Sequence, residues 1–299
     1  MVKNTRIRDS TSDKIFLVFI YFVLILFLFI ILYPLLHIVS ASISDSDAVT
    51  AGRVSIFPVE PTLIAYKTIF QSPDLIMGYA NSIFYTVVGT IVQVSMTVLI
   101  AYPLSRKGIY GRGLIMGILV FTMFFNGGLI PTYLVVKELG LLDTRWAMII
   151  PQALVVFQVI IARTFFQSTL PDELYEAAQL DGCNEFKIFL NIVLPLSKPI
   201  IAVLVLMYTV MNWNAYFEAL IYLSSDKLFP LQLVLRNILI MNNPPGQIIT
   251  DPVKLAAMKE VAELMKYALI VVASIPVLVL YPFIQKHLIK GVMIGSIKS

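Results

Sequence analysis

Six stretches of this chain stay apolar for about the length a helix needs to cross a bilayer, and this feature limits the fold more than any other. They run over residues 15–37, 82–104, 114–135, 147–166, 200–221 and 267–285. Hydrocarbon offers no hydrogen bonds to a backbone, so a spanning segment must be a helix or part of a closed barrel, and stretches of about 20 residues fit helices. The predicted class is therefore an all-α membrane protein with six transmembrane helices. Composition agrees, because 59% of residues are hydrophobic and 13% charged, whereas roughly a quarter are charged in soluble domains. Pro34, Pro103, Pro131, Pro151, Pro276 and Pro282 lie in or beside these stretches and predict kinks rather than breaks.

The first stretch follows Lys3, Arg6, Arg8 and Lys14 and leads to Ser40-Ala41-Ser42, which also suits a signal peptide. Its apolar run exceeds the roughly 7–15 residues of a signal-peptide core, so a retained anchor is expected. Placing the N-terminus in the cytoplasm puts 13 of the 22 Lys and Arg residues on inner segments, the bias that orients membrane proteins. It is sharpest in the connection 105–113, where Arg106, Lys107 and Arg112 have no acid among them. The net charge of +4 is scattered beside apolar runs, without the basic stripe that nucleic acid requires. Cys183 is the single cysteine and His37 and His287 the two histidines, so neither a disulfide nor a metal set is indicated.

Between the fourth and fifth stretches the pattern turns polar. Pro171 suits a helix start, and Asp172, Glu173 and Glu176 follow near its positive end. Leu174, Ala177, Ala178 and Asp181 recur at the spacing of one helix face, and Gly182 can end the helix in a left-handed conformation. Phe186, Phe189, Leu190 and Val193 repeat that period, predicting a second short helix before Pro195 and Pro199 turn the chain. Periodicity alone permits two readings: a protein-docking knob, or a helix pair lying among lipid headgroups.

The run EAAQLDGCNEFKIFLNIVLPLSKP, Glu176 to Pro199, resembles the cytoplasmic coupling loop of permease subunits in binding-protein-dependent ABC importers. The resemblance rests on Glu176, Ala177, Ala178, Asp181, Gly182, Phe186, Phe189, Ile192, Leu194 and Pro195. It implies the type I importer permease fold with both termini cytoplasmic, and a loop over residues 168–199 that docks on an ATPase. Glu176 would pair with a basic group of that ATPase and Gly182 would allow the tight turn; Cys183 stands where the family commonly has a small residue. Phe125 to Tyr133, Leu139 to Ala147, Trp213 to Phe217, Phe229 to Gln232 and the tail Lys290 to Lys298 are similar to the second permease of carbohydrate importers. The Gly-Gly-Leu-Ile-Pro and Pro-Leu-Gln runs most resemble the subfamily associated with complex oligosaccharides and lipoprotein receptors. The implied partners are a second permease, two ATPase subunits that bind the ATP, and an extracytoplasmic solute-binding protein, all at a prokaryotic cell membrane. By the same resemblance, residues 81–290 form the permease core, after a tail (1–14) and a first helix with outer loop (15–80), and before a tail (291–299).

Polar side chains in hydrocarbon tend to face a cavity or another helix. Asn126, Gln152, Asn212, Trp213, Asn214, Tyr216 and Glu218 are the candidates for a sugar pathway, with interhelical packing as the alternative for each. Asn126-Gly127-Gly128 would unwind the third stretch locally. Thr86, Gly89, Thr90, Gln93 and Thr97 form a small or polar stripe better explained by packing, and His37 reads as a packing residue. The outer segments, from Ser44 to about residue 80 and from Leu223 to Lys266, read as ordered loops with short helices, Ala256 to Met265 among them. Their functional reading, from the resemblance, is a platform for the solute receptor.

No Gly-x-x-x-x-Gly-Lys-Ser/Thr loop occurs, so energy must come from another chain. A secondary transporter would show internal repeats and ion-coupling charges, and a membrane enzyme a cluster of catalytic groups. This sequence has no convincing repeat and few such charges, and its densest group of inner acids is the loop of Asp172 to Asp181 itself. A permease for a different solute is the nearer alternative.

Overall fold

In the computed structural model, residues 10–241, 264–279 and 282 are described, and every regular element among them is helical. The helices are α1 (Thr11–Ser42), α2 (Ser46–Thr50), α3 (Ile64–Gln71), α4 (Pro73–Ser105), α5 (Arg112–Phe124), α6 (Leu129–Glu138), α7 (Val156–Thr169), α8 (Asp172–Leu180), α9 (Glu185–Ile188), α10 (Leu194–Leu196), α11 (Lys198–Trp213), α12 (Phe217–Tyr222), α13 (Leu231–Met241) and α14 (Leu264–Val279). The described residues form two units, residues 10–71 with 264–272, and residues 72–241 with 273–279 and 282.

In the first unit, α1 opens with a reciprocal cap: Ser10 Oγ accepts from Asp13 N–H and Asp13 Oδ2 accepts from Ser10 N–H, satisfying two donors that a helix start leaves unpaired. Its 32 residues extend about 48 Å, longer than the hydrocarbon thickness. Most of its apolar side chains are exposed, as expected of a helix whose solvent is lipid. The helix continues unbroken through Ser40, Ala41 and Ser42, which are buried. Ser40 Oγ donates to Ile56 O, Ser42 Oγ pairs with Tyr66 Oη at 2.8 Å, and Ser44 Oγ donates to Ser40 O at 2.6 Å. Ser40 and Ser42, read above within the rival cleavage site, therefore join Ser44 in anchoring the segment that follows α1. His37 meets Tyr267 edge to face at 6.1 Å and bonds Ser55 O at 3.2 Å, a packing role as expected.

In the second unit α7, α11 and α13 pack on α4. The stripe on α4 sits at the α11 contact. Thr97 Oγ1 and Tyr208 Oη lie 2.6 Å apart, Gln93 and Thr97 are fully buried, and a Cβ on Gly89 would come within 2.9 Å of Asn212 Nδ2. Small residues here let two helices approach closely. A core of Val98, Ala101, Tyr102, Val159, Phe166 and Ile188 continues toward α8.

Several expected spans are not single helices. Among the described residues two helices, α1 and α4, are long and apolar enough to cross a membrane alone; counting each bent pair as one span raises this to four. The stretch 114–135 breaks into α5 and α6 at 113°. Gly128 takes φ +83° and its N–H donates to Asn126 Oδ1 at 3.0 Å, so the break lies where Asn126-Gly127-Gly128 suggests. The stretch 147–166 begins with a 3₁₀ turn (Arg145–Met148), loses regular structure around Pro151 and is helical only over α7. Proline brings no N–H and disfavours a helical conformation in the residue before it. The stretch 200–221 divides into α11 and α12 at Asn214 to Tyr216. Residues 185–196 meet α11 at 74°, across Ser197, whose Oγ donates to Val193 O at 2.6 Å. The last stretch is helical through α14, which also takes in Leu264 and Met265, the last two residues of the helix expected at 256–265; the rest of that helix, the end of the stretch, His287 and the tail 291–299 lie outside the described residues.

Candidate functional site

Pro171 takes the N-cap position of α8, one residue earlier than expected, with Asp172 and Glu173 in the first turn. At the other end Gly182 has φ +75°, Gly182 N–H donates to Gln179 O at 3.0 Å and Cys183 N–H to Ala178 O at 3.0 Å. That is a Schellman termination, which needs the left-handed conformation glycine adopts without strain. Asn184, which sequence reading passed over, caps α9 by accepting from Lys187 N–H at 2.8 Å, and Gln179 Nε2 bonds Glu185 Oε1 at 3.1 Å. The result is a hairpin of two short helices.

The buried face differs from the predicted one. Tyr175 and Ala178 point into the core, while Glu176, Ala177, Asp181 and Leu180, the last 90% exposed, point out. After α9, residues 189–193 form a π-helical turn. This widened turn shifts the register, so Phe186 and Leu190 face out, Phe189 and Leu194 are half-buried, and Ile188 and Val193 fill the core. Pro195 is exposed. The predicted second stripe is therefore split between two faces.

The basic connection after α4 does have an acidic partner, supplied from 66 residues away. Asp172 Oδ1 accepts from Arg106 Nη2 at 2.8 Å and its Oδ2 from Lys107 Nζ at 2.9 Å. The Lys107 hydrogen bond, with the Lys107 and Arg106 charges, holds this carboxyl below the usual range.

The pathway candidates scatter. Asn212 Nδ2 donates to Gln93 Oε1 at 2.7 Å and Thr90 Oγ1 at 3.3 Å; Gln93 Nε2 donates to Gln152 O at 2.9 Å; Gln152 Nε2 donates to Glu218 Oε1 at 3.2 Å. These groups form one chain joining α11, α4, the segment before α7 and α12, consistent with the cost of leaving polar groups unpaired in hydrocarbon. Trp213 is buried, its Nε1 donating to Ala273 O at 2.9 Å and its ring meeting Tyr79 edge to face. Asn126, Asn214 and Tyr216 are exposed, the first spent on Gly128 and the second on Val210 O. Beside the chain an open recess of about 450 Å³ runs between α4 and α11, lined by Thr86, Thr90, Ser95, Thr209 and apolar neighbours.

A second cluster, which sequence reading did not single out, closes the other end of α4. Asp143, at φ +55°, accepts from Ser224 N–H at 2.9 Å, Ser225 N–H at 2.8 Å and Ser225 Oγ at 2.5 Å. The Ser225 hydroxyl, then the backbone donors, lower its pKa. Asn81 donates to Lys227 O and Phe229 O, Tyr85 Oη donates to Leu228 O, and Ser82 Oγ accepts from Leu231 N–H. The segment after α12 is thus clasped to α4. Asp143→Ala is expected to raise hydrogen exchange at Ser224 and Ser225 about tenfold, the effect of losing bonds to a charged acceptor, while α4 exchange stays unchanged. Equal exchange in parent and variant would remove Asp143 from the clasp.

The family described as binding-protein-dependent transport system inner membrane component matches residues 4–294. Protein LplC of Bacillus subtilis (strain 168) is 45% identical over 270 residues, 90% of each chain. The polygalacturonan/rhamnogalacturonan transport system permease protein YtcP of the same organism is 42% identical over 288 residues, 96% of this chain and all of that one. A crystal structure of a bacterial ABC transporter involved in the import of the acidic polysaccharide alginate contains a chain 36% identical, with a TM-score of 0.86, covering 94% of this chain and 99% of that chain.

Proposed function

This chain belongs to the inner membrane components of binding-protein-dependent transport systems, and from that premise we propose that it forms half of an ATP-driven import pathway for an oligosaccharide. It is a permease subunit, and ATP is bound and hydrolysed by a separate chain. The proposed topology has six spans with both termini in the cytoplasm, which puts α8 and α9 at the inner face together with Arg106, Lys107 and Arg112.

The observation carrying the coupling role is a surface with a rigid base. Tyr175, Ala178, Ile188 and Val193 hold the hairpin to the core, leaving Glu176, Ala177, Asp181, Gly182 and Phe186 facing out. An exposed acid between apolar side chains, Leu180 and Phe186, suits a protein cleft with a basic wall better than a headgroup layer, because the glycine turn forms a knob instead of a flat amphipathic face. Ala178, Phe189 and Leu194 support that knob from inside. Closure of the ATPases would push the hairpin and turn the pathway from inward-facing to outward-facing.

Sugar polymers appear in the descriptions of YtcP and of the alginate importer, which supports an oligosaccharide as cargo here. A second permease and a solute-binding lipoprotein complete the assembly. Asn126, Asn214 and Tyr216, exposed on this chain alone, are left to face the sugar, while Gln152, Asn212, Trp213 and Glu218 hold the surrounding helices in place. Purification of the tagged chain from its native membrane, followed by mass spectrometry, is expected to recover a second permease and an ATPase. Recovery of the chain alone in several mild detergents, together with ion-driven uptake by it, would overturn the reading.

A further inference from the structure

The cytoplasm-proposed end of α4 is a junction of three elements. A helix leaves its last carbonyls without partners; here Pro103 O is met by the Arg106 backbone N–H and the next three by side chains. Leu104 O accepts from Arg163 Nε of α7 at 2.9 Å, Ser105 O from Gln167 Nε2 of α7 at 3.4 Å, and Arg106 O from Arg112 Nη1 at 2.9 Å. The Arg106 side chain itself reaches α8. Its guanidinium carbon lies 3.2 Å from the centre of the Tyr175 ring, and its Nη2 bonds Asp172 at 2.8 Å. Both partners lie on α8, three residues apart, so one planar cation grips the face of a helix at two points. Only 18% of the Arg106 side chain is exposed, a setting in which cation–π contacts and charged hydrogen bonds are stronger than at an open surface.

Resting on the coupling reading above, we propose that Arg106 is a positioning residue that carries a displacement of α8 into α4. Three routes lead from α8 to the membrane helices. Two are covalent, through Leu170 and Pro171 to α7 and through Gly182, α9 and α10 to α11; the third runs through Arg106 to α4. The Arg106 route matters because α4 bears Thr90 and Gln93, which bond Asn212 of α11. Apolar contacts such as Tyr102 stacked on Tyr175 tolerate sliding. The Arg106 grip is directional, since a guanidinium plane must keep both its ring and its carboxylate partner in place. Lys107 also touches Asp172 but is 83% exposed, so it contributes charge without fixing position.

The test is hydrogen exchange on the whole importer in lipid nanodiscs, with and without ATP plus vanadate, read at residues 172–180 and 86–98. In the parent, trapping should change exchange in both segments. Arg106→Ala should keep the ATPase bound and retain the α8 change while reducing the α4 change about fivefold or more, the lower end of typical site-to-site coupling. Arg106→Lys, which keeps the charge but not the plane, should fall between. A purely structural role would raise exchange equally with and without nucleotide and leave the difference intact, which overturns the proposal. So does a parent in which α8 responds and α4 does not. Should Arg106→Ala fail to assemble, Arg106→Gln is read in the same way. An α8 segment that ignores nucleotide in the parent, with the ATPase bound, would instead sink the coupling reading itself.

Discussion

Gly182→Asp is expected to abolish ATPase association and transport while the permease still inserts and folds. The turn at Gly182 has φ +75°, and a Cβ there would meet nothing within 4 Å, so the substitution brings no steric clash. Its conformational cost is about 1 kcal/mol, because aspartate is among the few residues that enter the left-handed region readily. The new carboxylate projects from the exposed turn next to Asp181 and Glu176, where it adds charge and bulk to the proposed contact. Gly182→Asn, which tolerates the same backbone without the charge, should retain much of the association. Co-purification from membranes and substrate uptake separate these outcomes. Transport retained by Gly182→Asp would remove residues 176–195 from the coupling role.

The second large effect is expected at Gly89. Its Cβ position lies 2.9 Å from the Asn212 amide, which is 9% exposed and held by Gln93 and Thr90. Gly89→Leu must push α11 away and break that amide pair, combining overpacking with buried polar groups left unsatisfied. A destabilisation of about 3 kcal/mol follows from those two costs. The milder pair Gly89→Ala and Asn212→Ala tests the mechanism. Each alone should destabilise, and together they should cost less than the sum, since removing the amide makes room for the new methyl. Thermal unfolding in detergent measures all four proteins. Additive losses would show that the two residues do not share one contact.

How much of this was legible in the sequence follows the range of each interaction. The α8 end at Gly182 and the break at Asn126 to Gly128 were readable, because a glycine in the left-handed region and an asparagine capping its neighbour act within a few residues. The packing stripe on α4 was readable for a similar reason: small and polar residues at helical spacing have few uses in hydrocarbon other than close approach or hydrogen bonding. The face that α8 buries was misplaced because Tyr175, with its polar tip, was left out of the apolar period, and because the π turn at 189–193 shifts the register without a local signal. The fourth stretch looked continuous by hydropathy, which weighs side chains and is blind to the backbone N–H that Pro151 lacks.

The solvent, the helical class, the polar interruption with its glycine turn and the family resemblance all follow from composition or from neighbours along the chain. That Asp172 answers Arg106 and Lys107, that Asp143 clasps Ser224 and Ser225, and that Asn212 is bonded to Gln93 emerges only from the packed fold. Those pairs are separated by 65 to 119 residues. Periodicity carries no information across such distances, because what brings the partners together is helix packing and the requirement that buried polar groups find one another.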